Sequence, residues 1–124
     1  MRQIILVIAG ICFLGLAAVP ATAQSAGDRV LANFQNSGYW FAGVIAEVSD
    51  EGYKIKYDDG DRETVSARAV RSYNWAVGTR IECNWKNKGK WYPGVISAAN
   101  GKRLSVNYDD GDSETTQTAL CRSR

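Results

Sequence analysis

Apolar and polar residues alternate with a period of two through much of this chain. Tyr53, Ile55 and Tyr57 interleave with Lys54, Lys56 and Asp58; Leu104, Val106 and Tyr108 interleave with Ser105, Asn107 and Asp109. That period puts the two sets on opposite faces of a β-strand. Beyond residue 23 no segment carries a sustained helical stripe of apolar residues. Asp59-Gly60 and Asp110-Gly111 separate strand-like runs. They mark hairpins, because Asp tolerates and Gly favours a positive φ in a tight turn. Further turn signals fall at Asn36-Ser37-Gly38 and Asp50-Glu51-Gly52.

The pattern occurs twice. Gly38-Tyr39-Trp40-Phe41-Ala42-Gly43-Val44-Ile45 returns as Gly89-Lys90-Trp91-Tyr92-Pro93-Gly94-Val95-Ile96, and Tyr57-Asp58-Asp59-Gly60-Asp61 as Tyr108-Asp109-Asp110-Gly111-Asp112, always 51 positions later. Such self-similarity defines a structural repeat. Four strands are predicted per unit, over roughly 28–35, 39–48, 53–58 and 61–66 and the same plus 51, with a fifth short piece at Arg68–Arg71 closing the sheet. Gly43 and Gly94 lie inside strands, where glycine marks a bend or a close backbone approach. A unit this small has little core, so two units should lean on each other, with Trp75 in the connection as the residue to fill the junction.

The first residues follow a different pattern. Arg2 precedes an apolar run from Ile4 to Val19, and Pro20 and Ala21-Thr22-Ala23 follow it. A positive start, a short apolar stretch and a small-x-small site read as a cleaved signal peptide over 1–23, shorter than a membrane span needs. The expected layout is then a linker at 24–26, one unit at 27–72, a spacer at 73–77 and a second unit at 78–124, with no membrane span after cleavage. The 124-residue chain carries a net charge of +2, and loss of Arg2 lowers it by one. That balance argues against strong nucleic-acid binding, which needs a basic face. The chain has no His, so it lacks the usual near-neutral proton shuttle and the commonest metal ligand. No nucleophile–base pair and no phosphate loop is apparent. No catalytic residue, metal site or cofactor is assigned.

The repeated Gly-x-Trp-(Phe/Tyr)-x-Gly-x-Ile and Tyr-Asp-Asp-Gly-x-x-Glu motifs, each following an aromatic that ends the first strand, resemble the Tudor family of small SH3-like barrels. The resemblance covers both units. It implies an all-β protein of two tandem Tudor-type barrels. It also implies aromatic cages for methylated Lys or Arg, formed by Phe34, Phe41, Tyr57 and Asp59 in the first unit and by Trp85, Tyr92, Tyr108 and Asp110 in the second. A further cage aromatic of such tandem modules falls here on Asp61 and Asp112. The chemistry is that of a bulky, poorly hydrated cation held against ring faces, with a carboxylate to accept any remaining N–H. The same aromatics could instead be barrel core.

Cys83 aligns with Ala32 and Cys121 with Val70. If the fifth strand of such a barrel pairs with the first, these positions are neighbours and the two Cys form a disulfide; free thiols are the alternative. Trp40 and Trp91 fall on the opposite strand face from Phe41 and Tyr92, which suits packing between the units. Lys86, Lys88 and Lys90 stand beside Trp85 and Trp91, where the first unit has Gln35, Ser37 and Tyr39. They read either as a solvated loop or as a contact to an anionic group. The expectation is an exported, periplasmic or secreted, non-enzymatic module that binds a protein, a peptide or a methylated or cationic ligand. The alternative is a structural or protein-interaction component of the cell envelope with filled pockets.

Overall fold

The computed structural model describes residues 24–124; the expected signal peptide at 1–23 lies outside the described residues. The first unit contains β1 (Arg29–Asn33), β2 (Trp40–Ser49), β3 (Gly52–Tyr57), β4 (Arg62–Val65) and β5 (Val70–Ser72). The second contains β6 (Arg80–Asn84), β7 (Trp91–Asn100), β8 (Arg103–Tyr108), β9 (Ser113–Gln117) and β10 (Cys121–Arg122). Short 3-10 turns at Phe34–Asn36 and Ala67–Ala69 recur at Trp85–Asn87 and Thr118–Leu120. All strand pairs are antiparallel, in the orders β4-β3-β2-β1-β5 and β9-β8-β7-β6-β10.

These orders correct the expectation of closed barrels. The outermost strands of each five-stranded sheet, β4 and β5 or β9 and β10, are not paired with each other. After β4, the 3-10 turn at Ala67–Ala69 carries the chain onward, and β5 pairs with β1 instead. The long strand β2 changes register between Ile45 and Glu47, and β7 does so between Ile96 and Ala98. Such a bulge bends a strand and raises its twist. Just before each bulge lies the repeated glycine. A Cβ on Gly43 would come within 2.6 Å of the Lys56 carbonyl oxygen, and one on Gly94 within 2.6 Å of that of Asn107. Only a residue without a side chain permits this approach.

The inward faces form two cores that are not equivalent. Val30, Ala32, Ile45, Ile55, Tyr57 and Val65 fill the first unit. The second core contains Ile81, Cys83, Ile96, Leu104, Val106, Tyr108 and Cys121, and joins them to Trp75, Leu31 and Ala42. Leu31 and Ala42 are cross-strand partners on the outer face of the first sheet. The first unit thus buries apolar residues on both faces of β1 and β2, and the second core extends through Trp75 onto them. Trp75 is 4% exposed and donates its indole N–H to the Ser123 hydroxyl at 3.2 Å. This is the junction role expected of it.

The end of the chain completes the junction. Ser123, just past β10, exchanges two backbone hydrogen bonds with Trp40. Cys83 and Cys121 form a disulfide across β6 and β10, with Cα atoms 4.1 Å apart. The corresponding pair in the first unit is Ala32 and Val70, in the same register. Asp58 ties the units together from the other side. It accepts two hydrogen bonds from Arg29, at 2.6 and 2.9 Å, and one from the Thr118 hydroxyl.

Candidate functional site

The loops after β1 and β6 each place an aromatic residue at the mouth of a unit. Both loops have unusual backbones. Gln35 and Asn36 lie at φ +50° and +56°, and Lys86 and Asn87 at +51° and +56°. Two consecutive non-glycine residues in this region carry strain, which persists only where surrounding groups hold it. Here the holding groups repeat. The Asn33 side-chain oxygen accepts the Gly38 N–H at 2.9 Å, and that of Asn84 accepts the Gly89 N–H at 2.7 Å. Glu63 accepts the Gln35 N–H at 3.1 Å and the Tyr57 hydroxyl at 2.7 Å. Glu114 likewise accepts the Lys86 N–H at 3.0 Å and the Tyr108 hydroxyl. Each glutamate therefore clamps an aromatic-bearing loop to a buried tyrosine. Burial first, and then the adjacent glutamate, hold both tyrosine hydroxyls well above their ordinary pKa of 10.0.

The first unit brings Phe34, Phe41 and Tyr57 together. Their rings meet edge to face, with centroids 5.9 Å apart for Phe34–Phe41, 5.4 Å for Phe34–Tyr57 and 6.4 Å for Phe41–Tyr57. These are contact distances for aromatic pairs. Trp91 of the second unit also meets Phe41 edge to face, at 6.1 Å. Asp59 is exposed, and its carboxylate accepts the Asp61 N–H at 2.9 Å, which holds the hairpin turn.

The second unit differs. Tyr92 and Tyr108 meet at 6.5 Å, whereas Trp85 makes no ring contact with either among the described residues. A cavity of about 110 Å³ is lined by Trp85, Tyr92, Tyr108, Asp110 and Asp112. All four expected cage residues of this unit share one pocket, and Asp112 supplies a second carboxylate where an aromatic was expected. Asp110 also accepts the Asp112 N–H at 2.9 Å. Neither carboxylate is in an ion pair among the described residues. The Lys86 and Lys88 ammonium groups lie over the Trp85 ring, 4.9 and 5.5 Å from its centroid.

The two other repeated tryptophans serve the junction. The Arg71 guanidinium stacks 3.7 Å over Trp40, and that of Arg122 lies 3.7 Å from the Tyr39 centroid and 4.3 Å from that of Trp91. The sequence reading missed the clamping role of Glu63 and Glu114. The signal was present in the Glu-Thr pair repeated at 63–64 and 114–115.

Comparison with known proteins places both units in related families. Residues 25–69 match the family described as histone methyltransferase Tudor domain 1, and residues 78–123 match the Agenet domain family. No curated protein matches the chain. Among solved structures, the tandem Agenet domain 3-4 of ADCP1 is 18% identical, with 90% of this chain and 92% of that chain covered and a TM-score of 0.40. The AGD34 structure of Arabidopsis thaliana AGDP1 is 17% identical, with 81% and 82% covered and a TM-score of 0.40. With one Tudor-type match on each of its two repeats, the chain is a tandem Tudor-type module.

Proposed function

We propose that this protein is an exported, non-enzymatic binding module whose second unit holds a cationic or methylated group, such as one on a peptide. The observation that carries this reading is the pocket of Trp85, Tyr92 and Tyr108, which has at its wall two carboxylates that form no ion pair among the described residues. Ring faces attract a cation through their quadrupole, at about 0.5–2 kcal/mol each. Asp110 and Asp112 add attraction and accept N–H donors. The first unit is read as scaffold, because its three rings already contact one another. The amino-terminal pattern and the Cys83–Cys121 disulfide support an oxidising, periplasmic or secreted location.

The test is an NMR titration of residues 24–124 with choline, following the Trp85 indole N–H and, in every variant, the Tyr92 ring protons. Millimolar affinity is expected, about −4 kcal/mol, lost in Trp85→Ala and retained in Phe34→Ala. No shift at Trp85 up to tens of millimolar would reject the pocket and leave the envelope-scaffold alternative.

A further inference from the structure

Charges of both signs lie close to the aromatic residues of the second-unit pocket. Asp110 and Asp112 stand on its turn side. Lys86 and Lys88 do not line it, but their ammonium groups lie over the ring of its Trp85. Neither lysine is in an ion pair among the described residues. Opposite charges thus lie near Trp85 without forming an ion pair with each other among the described residues. The first unit has no such arrangement, since Gln35 and Ser37 replace the lysines and Phe34 replaces the tryptophan.

The lysines would be unfavourable in a site meant for a bare cation. Two positive charges next to Trp85 repel the ligand and compete for the same ring. They become favourable when the ligand carries an anion a few bonds from its cation. We propose that the second-unit pocket recognises a compact zwitterion, an ammonium joined to a phosphate by a short linker. The ammonium sits against Trp85, Tyr92 and Tyr108 beside Asp110 and Asp112, and the phosphate accepts hydrogen bonds from Lys86 and Lys88 at the rim. A phosphate offers several strong acceptor oxygens, which two flexible lysine stems can reach together. This inference rests on the second-unit pocket being a cation site.

The decisive comparison is choline against phosphocholine, titrated into residues 24–124 and read at the Trp85 indole N–H. Phosphocholine should bind about tenfold more tightly than choline, and raised salt should narrow the gap. The Lys86→Gln, Lys88→Gln double variant should move the two ligands in opposite directions, weakening phosphocholine and strengthening choline. Its near-ultraviolet spectrum reports that Trp75 remains packed. Choline binding as well as or better than phosphocholine would overturn the zwitterion inference while leaving the cation pocket intact. Binding of neither would overturn both. The same titration with phosphatidylcholine vesicles separates the two sources of this chemistry. Binding to vesicles as well as to the free ligand identifies a lipid headgroup, and binding to the free ligand alone identifies a soluble zwitterion.

Discussion

Trp40 of the first unit and Ser123 of the second exchange both of their backbone hydrogen bonds, at 2.8 and 3.0 Å. One antiparallel pair thus joins the two sheets next to a shared apolar core. Leu31, 1% exposed, belongs to that core, and the repeat puts Glu82 at its equivalent position. Exchanging Leu31 for the residue that its own repeat uses is therefore a severe test. Leu31→Glu should cost more than about 3 kcal/mol, because it buries a carboxylate among apolar groups. The protein should otherwise unfold in one calorimetric transition, not two. Two separate transitions in the unmodified protein would show that the units are independent.

Reduction should act on the whole module. The Cys83–Cys121 bond closes a loop of about 39 residues, for which chain entropy gives about 4 kcal/mol. It fixes β10, which leads directly into Ser123 and its pairing with Trp40. Denaturant melts with and without reductant should show a shift of the single transition. Tyr39 and Trp91 fluorescence should change with it, since Arg122 of β10 stacks on both. A shift confined to second-unit probes would contradict this coupling.

Asp58 and Asp109 occupy equivalent positions and should behave differently. Asp58 has a side chain only 4% exposed, whereas Asp109 is 47% exposed and pairs with an exposed Arg80. Burial alone would raise the Asp58 pKa, but hydrogen bonds from Arg29 and Thr118 and the charge of Arg29 outweigh it and hold the pKa below its usual range. A depressed carboxylate contributes stability that is present above its unfolded pKa, near 4, and is lost as pH falls through the folded value. Asp58→Asn should cost about 2–3 kcal/mol at neutral pH and flatten the acid limb of the stability curve below about pH 4. Asp109→Asn should leave the melting temperature essentially unchanged. Equal losses would mean that the contact to Thr118 is unimportant.

Most of the fold is legible in the sequence because most strands have one face in a core, and the period of two records it directly. Ile81-Glu82-Cys83 alternates as a one-sided strand should. Val30-Leu31-Ala32 is apolar throughout, the mark of a strand covered on both faces. That difference between the repeats was the available sign that the first unit is the one overlaid by its neighbour. Barrel closure was not legible, because strand pairing at the sheet margins depends on where a three-residue 3-10 turn sends the chain. The aromatic residues of both pockets were legible by type, but whether rings touch or stand apart is a matter of ångströms. Phe34 and Trp85 are equivalent in sequence, yet Phe34 meets two rings and Trp85 faces a cavity.

The pocket's shape should depend on Glu114, which does not itself line it. Its carboxylate holds the Lys86 N–H and the Tyr108 hydroxyl together, and so fixes the left-handed turn that presents Trp85. Glu114→Ala removes both acceptors. The loop is then free to leave its strained conformation, and Trp85 loses its fixed distance from Tyr108. A stability loss of only about 1–2 kcal/mol is expected, since Trp75 and the second core are untouched. Choline affinity should nevertheless fall about tenfold, as orientation of the ring is lost. Tyr108 supplies a second readout. Its hydroxyl ionises well above 10 because of burial and then Glu114. A raised tyrosine pKa gives stability that is fully present below pH 10 and is lost as pH climbs beyond it. In Glu114→Ala, ultraviolet titration should show Tyr108 ionising at lower pH, while Tyr57, held by Glu63, stays as it was. Unchanged choline affinity together with a lowered Tyr108 pKa would mean that Trp85 is positioned by the Asn84 contact to Gly89 alone.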